Sequence, residues 1–206
     1  MTDSPIIQFK DKNLKEAILQ NMKEQKLLDN FATEITEADA LKIYSGLYLN
    51  NRNITSLDGI QYFKNLNSTD LSANKITDLT PLSELPYLIG LNLNNSQISD
   101  ITLLSRLTEL SVLGLNNNQI SDITPLSELT ELTHLSLERN KISNLVPLSK
   151  LHNLEYLSLE YNQISDLEPL FKLKVSDCGI CLEGNKTTEE DIKELENRNS
   201  GFVVCF

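Results

Sequence analysis

The chain has 206 residues, with 18 Lys and Arg against 29 Asp and Glu, so its net charge is −11. This balance argues against a nucleic-acid-binding protein, because contacts with phosphates need clustered basic side chains, and it argues against docking on anionic membranes. The apolar share of 40% is too high for a disordered chain. Leu occurs 38 times and Asn 22 times, while Gly occurs only 7 times, and this bias indicates a repeated sequence.

The first 46 residues predict a helical cap. Residues 11–25 have an amphipathic pattern, with Leu14, Ile18, Leu19 and Met22 on one face. The segment 36–39, Thr-Glu-Ala-Asp, is typical of a helix start and predicts a second short helix ending near Tyr44.

A repeat of 22 residues begins at Leu47. The first unit reads LYLNNRNITSL, and the sixth, from Leu157, reads LSLEYNQISDL. A degenerate seventh unit, ICLEGNKTT, begins at Ile180 after a one-residue insertion. Five of the seven units begin with L-x-L, which alternates as in a short strand with one buried face, and successive strands are expected to pair in parallel. The predicted fold is an α/β, right-handed solenoid with short parallel strands on its concave face.

An Asn column follows the strands. Its side-chain amides can pair with backbone groups in the turns, which predicts a structural ladder along the stack. The ladder residues are Asn74, Asn118, Asn140, Asn162 and Asn185. Arg52 and Ser96 occupy the same column in two other units, and the shorter Ser96 predicts a weaker rung. Asn116, two residues before the ladder position, is expected to be exposed.

The return segments between strands carry apolar residues at every third position, together with Pro81, Pro125, Pro147 and Pro169. A period of three and recurrent proline favour 3₁₀ helix or turns over longer α-helix on the convex face. Beyond the repeats, residues 188–195 predict a helix and FVVCF a final strand. The predicted organisation is one structural domain, with an N-terminal cap over 1–46, repeats over 47–173, and a degenerate repeat and C-terminal cap over 174–206.

The three cysteines, Cys178, Cys181 and Cys205, all lie near the C-terminal end. An odd number so placed is not a disulfide framework, so reduced thiols are the first expectation. The alternative is a disulfide from Cys178 or Cys181 to Cys205 in a secreted protein. Cys178 and Cys181 could supply half a zinc site, but a tetrahedral site needs four ligands. We expect no metal and no cofactor.

The repeated I-S-D-I-T-P-L-S-E-L-T-E-L resembles the 22-residue class of leucine-rich repeats found in bacterial internalins and in the regulatory subunit of protein phosphatase 1. Residues 54–66, ITSLDGIQYFKNL, resemble the entry from an internalin's helical cap into its repeats. The ending from Gly184 onward resembles the helix-and-strand end of bacterial intracellular leucine-rich repeat proteins. This resemblance covers nearly the whole chain and implies the solenoid fold. Because the N-terminal sequence lacks a secretory pattern, we expect a cytoplasmic location. The alternative is a secreted or surface protein whose signal is absent from this sequence.

Strand residues beside the buried leucines are expected to face solvent and to form a binding surface. The predicted partner-binding residues on the concave face are Val112, His134, Glu138, Arg139, Tyr156, Glu160, Tyr161 and Glu183. Tyr and Arg are common anchors at protein interfaces, and the glutamates would favour a basic surface. The predicted function is therefore a non-enzymatic, monomeric protein-binding module, and one version is an inhibitor or regulator of a basic protein.

Two other functions are compatible with the sequence. The first is a secreted or surface adhesin or virulence factor of the internalin type. The second is a hydrolase using Glu138 and Glu160, since carboxylates on neighbouring rungs, about 5 Å apart, resemble the pair of a retaining glycosidase. An exposed strand face gives such a pair no pocket around a sugar, so we expect no catalytic residues.

Overall fold

The computed structural model describes residues 4–173, 175 and 178–205. Helix α1 spans Lys12–Glu24, and the side chain of Asp11 caps it by accepting the N–H groups of Asn13 and Leu14. Helix α2 spans Glu37–Ala40 behind a capping box. The prediction that this second helix ends near Tyr44 is wrong, because the chain leaves the helix at Ala40 and enters the first strand two residues after Tyr44.

Eight short strands form one parallel sheet in chain order. The strands are β1 (Gly46–Tyr48), β2 (Ser68–Asp70), β3 (Gly90–Asn92), β4 (Val112–Gly114), β5 (His134–Ser136), β6 (Tyr156–Ser158), β7 (Cys178–Cys181) and β8 (Phe202–Cys205). From β1 to β6 each residue faces the one 22 positions later, and the insertion before β7 makes that step 23. The predicted solenoid of parallel strands is confirmed, and β8 continues it past the last repeat.

The return segments are short 3₁₀ helices, as predicted. They span Ile60–Tyr62, Thr80–Glu84, Thr102–Arg106, Thr124–Glu128 and Val146–Lys150. The last return is instead an α-helical turn, α3 (Glu168–Phe171), and α4 (Glu189–Arg198) follows the last repeat. In the part of the chain that the structure describes, no helix has the length and apolarity needed to cross a membrane.

The repeat leucines and isoleucines pack into one continuous hydrophobic core, and the Asn column borders it. Asn118 Nδ2 donates to the carbonyls of Leu93 (2.9 Å) and Leu115 (3.0 Å). Its Oδ1 accepts the N–H groups of Ser96 and Ile98. Comparable bonds to the preceding and to its own repeat are made by Asn74, Asn140, Asn162 and Asn185.

The rung at Ser96 differs from these. Ser96 is fully buried, and its hydroxyl donates only to the carbonyl of Asn94, at 3.3 Å. The next residue, Gln97, has φ 61°, and Asn53 after Arg52 has φ 54°. The residues that follow the asparagine rungs have no such left-handed φ. Loss of the ladder amide therefore coincides with a different turn conformation.

Helix α1 closes the N-terminal edge of the sheet with side chains. Asn21 donates to the carbonyl of Tyr48 and accepts its N–H, both at 2.9 Å, and Gln25 donates to the carbonyl of Gly46. The second carboxylate oxygen of Asp11 accepts the N–H of Thr55 at 2.7 Å. Burial acts to raise the pKa of Asp11, but these hydrogen bonds outweigh burial and hold its pKa below the usual value.

The C-terminal end carries a disulfide between Cys181 and Cys205, which face each other on β7 and β8 with Cα atoms 4.7 Å apart. The expectation of reduced thiols is therefore wrong, as is pairing of Cys178 with Cys205. Cys178 is a free thiol whose side chain points into the core, away from Cys205. Burial, and to a lesser extent the charge of Glu155, raises the pKa of Cys178 to about 11.

Candidate functional site on the strand face

The strand face is the exposed side of the sheet, formed by side chains that alternate with buried leucines, together with the turn residues that follow each strand. On β5 and β6, His134 is exposed and Tyr156 is half-buried, with ring centroids 6.3 Å apart. Val112 on β4 is 49% exposed. These three residues continue from strand to strand as one partly apolar row.

Four of the other predicted residues meet in the turns after β5, β6 and β7. The Arg139 guanidinium lies 4.6 Å from the centroid of the Tyr161 ring and pairs with Glu138. The Tyr161 hydroxyl donates to Glu183 at 3.0 Å, and this bond raises the pKa of Tyr161. We call these four residues, Glu138, Arg139, Tyr161 and Glu183, the tyrosine–arginine cluster. Their contacts link three successive repeats.

The backbone beneath the cluster is left-handed. Arg139 and Tyr161 have φ 52° and 53°, in a column otherwise occupied by Asn51, Ala73, Asn95, Asn117 and Gly184. A Cβ on Gly184 would lie 2.4 Å from Tyr161 Cδ1, so the ring needs glycine beside it. Asn and Gly tolerate this conformation more readily than Arg or Tyr does. The turn geometry alone therefore does not explain Arg139 and Tyr161.

Two residues of the face are less accessible than a simple alternation of strand side chains predicts. Ser158 is 2% exposed and Cys181 is 9% exposed, although both alternate with buried residues. The Ser158 hydroxyl donates to the Glu160 carboxylate at 2.5 Å, and Cys181 is bonded to Cys205. Asn116 is likewise half-buried, because its Oδ1 accepts the N–H of Glu138 at 2.8 Å. The expectation that Asn116 is exposed is wrong for this reason.

The glutamate column does not form a catalytic pair. Glu138 pairs with Arg139, while Glu160 and Glu183 accept separate hydroxyls. Each of the three carboxylates is therefore engaged with a different side chain. Across residues 4–173, 175 and 178–205, no group of three His, Cys, Asp or Glu side chains is placed to hold a metal ion.

Sequence reasoning missed a hollow of about 580 Å³ on the N-terminal half of the strand face. Tyr48, Val112 and His134 form its walls, and Gly90 and Gly114 lie in its floor. The signal in the sequence was the run of small and amide residues in the first strands. Because none of those residues is a typical interface anchor, only Val112 and His134 of this lining were predicted as partner-binding residues.

The chain resembles several known proteins. Residues 88–128 and 130–172 match the family described as Leucine Rich repeats (2 copies). Internalin C2 of Listeria monocytogenes is 32% identical, with a TM-score of 0.72, over 96% of this chain and 93% of that chain. No curated protein sequence matches the chain.

Two further solved structures share the fold. Internalin F of the same bacterium is 28% identical with a TM-score of 0.70, and this chain spans 65% of its length. A leucine-rich repeat protein of Leptospira interrogans is 23% identical with a TM-score of 0.67, over 75% of this chain and 40% of that chain. Proteins of this type are non-enzymatic interaction modules. The chain belongs to the internalin-like leucine-rich repeat proteins of bacteria.

Proposed function

We propose that the chain binds a protein partner with a basic surface through the C-terminal half of the strand face. The observation that carries this proposal is the tyrosine–arginine cluster, in which Arg139 and Tyr161 occupy left-handed positions and brace each other. Tyr and Arg supply much of the binding energy at protein interfaces. Since both side chains already have partners, little entropy is lost when they are immobilised by a bound protein.

The charge on this surface favours a basic partner. Glu138 is paired with Arg139, but within the described residues no Lys or Arg pairs with Glu160 or Glu183. The chain as a whole carries a net charge of −11. Complementary charge accelerates association and disfavours acidic partners. Inhibition or regulation of a basic protein is the version of this function that the charge supports.

The length of the strand face suits a standard protein interface. Eight strands about 4.8 Å apart span on the order of 30 Å. A standard interface needs roughly 800 Å² from each partner. The row of Val112, His134 and Tyr156 extends the proposed contact surface beyond the tyrosine–arginine cluster.

The test compares two double variants with matched chemistry. Glu160→Lys with Tyr161→Ala changes the proposed surface, whereas Glu109→Lys with Tyr87→Ala makes the same changes at exposed positions off the strand face. Proteins captured from extracts of the producing organism are identified, and their affinity is measured by calorimetry. We expect at least a tenfold loss of affinity, about 1.4 kcal/mol, for the first variant only. Equal binding by both variants would contradict the proposed surface. Analytical ultracentrifugation of the free chain tests the proposal that it is a monomer.

A secreted or surface role in adhesion or virulence is the second candidate. It is favoured by the Cys181–Cys205 disulfide, because disulfides persist in oxidising compartments, and by the similarity to internalins. Alkylation of intact cells shows whether Cys181 and Cys205 are reduced or oxidised, and assay of the culture medium shows whether the protein is secreted. An oxidised pair in secreted protein supports this role. A reduced pair in protein confined to the cytoplasm supports the cytoplasmic regulator instead.

A further inference from the structure

We propose that the hollow on the N-terminal half of the strand face binds a neutral oligosaccharide. Its volume of about 580 Å³ lies in the range of small-ligand sites, roughly 300–1,000 Å³. Arg139 and Tyr161 are not among its lining residues. Val112 and His134 belong both to the lining and to the proposed protein-binding surface, so the two sites adjoin, and the hollow is tested through lining residues outside that surface, Tyr48 and Asn92.

Glycine on two strands makes room in the floor of the hollow for side chains of the neighbouring strands. Neither Gly90 nor Gly114 has a left-handed φ, so the backbone does not require glycine at these positions. A Cβ on Gly114 would lie 3.0 Å from Asn92 Oδ1 and 3.1 Å from Asn94 Nδ2. The two asparagine side chains thus lean over Gly114, and a larger residue there would displace them.

The polar groups in the hollow have fixed orientations. Asn92 Oδ1 accepts the N–H of Asn94 at 3.0 Å, and Asn94 Oδ1 accepts the N–H of Asn116 at 2.6 Å. One accepted N–H orients each amide group, and the Nδ2 groups remain as donors toward a ligand. Asp70 uses one carboxylate oxygen for the N–H of Ser72 and keeps the other as an acceptor. Sugar hydroxyl groups both donate and accept, so they match this set.

The walls of the hollow add apolar surface. Tyr48 is 68% exposed, and its Cζ lies 3.8 Å from the position of a Cβ on Gly46, so its ring leans along the sheet. A flat aromatic surface of this kind packs well against the C–H face of a sugar ring. Asp70 is the only acidic side chain of the lining, and no Lys or Arg is part of it. With a chain charge of −11, this composition favours a neutral sugar over an acidic one.

An extended peptide matches the spacing of the polar groups in the hollow less well than a sugar does. Asp70 and Asn92 occupy equivalent positions on neighbouring strands, which lie about 4.8 Å apart. Groups on one side of an extended peptide repeat every second residue, or about 6.8 Å. A peptide laid across the strands would therefore fall out of step with these groups, whereas a sugar carries hydroxyls at several closer spacings.

Binding is tested on the full chain with cellohexaose, maltohexaose, chitohexaose and mannohexaose. A heparin hexasaccharide and a neutral Ser-Thr peptide serve as comparisons. Side-chain amide NMR signals of Asn92 and Asn94 report occupation of the hollow, and calorimetry gives affinities. Asn92→Asp keeps the acceptor for the N–H of Asn94 but removes the Nδ2 donor. Asn117→Asp makes the same change in charge at an exposed position outside the hollow.

We expect at least one neutral hexasaccharide to shift both amide signals. Its affinity should fall about tenfold or more in Asn92→Asp and in Tyr48→Ala, because a charged-group mismatch or a lost aromatic contact has about this effect. Asn117→Asp should bind as the unmodified chain does. Failure of all four neutral sugars to shift the signals at millimolar concentration would overturn the proposal. Stronger binding of the heparin fragment or of the peptide, or binding unchanged in Asn92→Asp, would also overturn it.

Discussion

Replacing Ser96 by Asn should stabilise the chain, because it restores the one interior rung at which the ladder lacks an amide. In the complete rungs, the carbonyls of Leu115, Leu137 and Leu159 each accept two ladder amides. The carbonyls at the defective rung, those of Leu71 and Leu93, each accept only one.

The size of the expected gain in unfolding free energy follows from the hydrogen bonds that an asparagine at position 96 can make. Its Nδ2 would reach the carbonyls of Leu71 and Leu93, and its Oδ1 would accept the N–H of Ile76, which has no partner among the described residues. Three bonds contribute about 3 kcal/mol at roughly 1 kcal/mol each. Fitting the larger side chain into a buried turn costs about 1 kcal/mol. The expected gain in unfolding free energy is therefore about 2 kcal/mol.

Urea denaturation followed by circular dichroism measures this gain as a higher midpoint with an unchanged slope. In thermal unfolding, the same gain corresponds to a rise of about 4–8 °C for a chain of this size. An unchanged or lower midpoint for Ser96→Asn would refute the reasoning, because it would mean that the turn cannot adopt the geometry of the other rungs.

The neighbouring residue provides an internal control. Gln97 has φ 61°, so Gln97→Gly alone should stabilise the chain by about 0.5–1 kcal/mol. In the Ser96→Asn background the turn should return to negative φ, and the N–H of residue 97 should bond to the carbonyl of Ile76, as Gln119 does to Ile98. Gln97→Gly should then destabilise the chain. Additive effects of the two changes would argue against coupling between the missing amide and the turn conformation.

Four further predictions concern the ladder, the N-terminal cap and the C-terminal end. Asn118→Ala should lower the unfolding free energy by about 3 kcal/mol, because buried backbone groups lose their partners, whereas exposed Gln119→Ala should change it by less than about 0.5 kcal/mol. The pKa of Asp11 in the folded chain lies below its usual value. The ionised carboxylate therefore contributes to folding stability at pH values above the usual pKa, and this contribution is lost as the pH falls through the folded-state pKa. In urea titrations at neutral and acidic pH, Asp11→Asn should lower stability most at neutral pH, and an equal loss at both would contradict this. Cys205→Ser should reduce the unfolding free energy by about 3 kcal/mol, because the disulfide closes a loop of 24 residues and so restricts the unfolded chain. The Cys178 thiol, with a pKa of about 11, should stay unalkylated in native protein at pH values well below 11 and should react after unfolding.

The sequence was sufficient to predict the architecture because its signals are periodic. A spacing of 22 aligns L-x-L with the observed strands, and the insertion before Ile180 appears as the longer step between β6 and β7. The cap helix was predicted from the apolar face around Leu14 and Ile18, both of which are fully buried. Each of these features depends on local pattern and on stacking, which are the same in every unit.

Features that depend on contacts between particular side chains were not predictable in this way. Ser158 occupies an exposed strand position by pattern, but a hydrogen bond to Glu160 and close neighbours leave it buried. The choice of Cys181 over Cys178 as the partner of Cys205 depends on which side of β7 each thiol lies. Likewise, the pattern placed Tyr48 on the face without showing that glycines on β3 and β4 would leave a hollow beside it.

The way in which α1 meets the sheet has a consequence for how such chains lengthen. At the edge of the sheet, Asn21 and Gln25 bond to strand backbone, which every repeat presents in the same register, and Gln25 Oε1 also accepts the Ser45 hydroxyl. Asp11 bonds to Thr55, and the equivalent position in each later repeat is also Ser or Thr. Apart from the Ser45 hydroxyl, whose equivalents in the next two repeats are Asn67 and Ile89, these contacts meet features that are interchangeable among units. Gene duplication or loss of whole 22-residue units behind the cap would therefore keep the contacts to strand backbone and the contact of Asp11, so the number of repeats can vary while the cap stays the same.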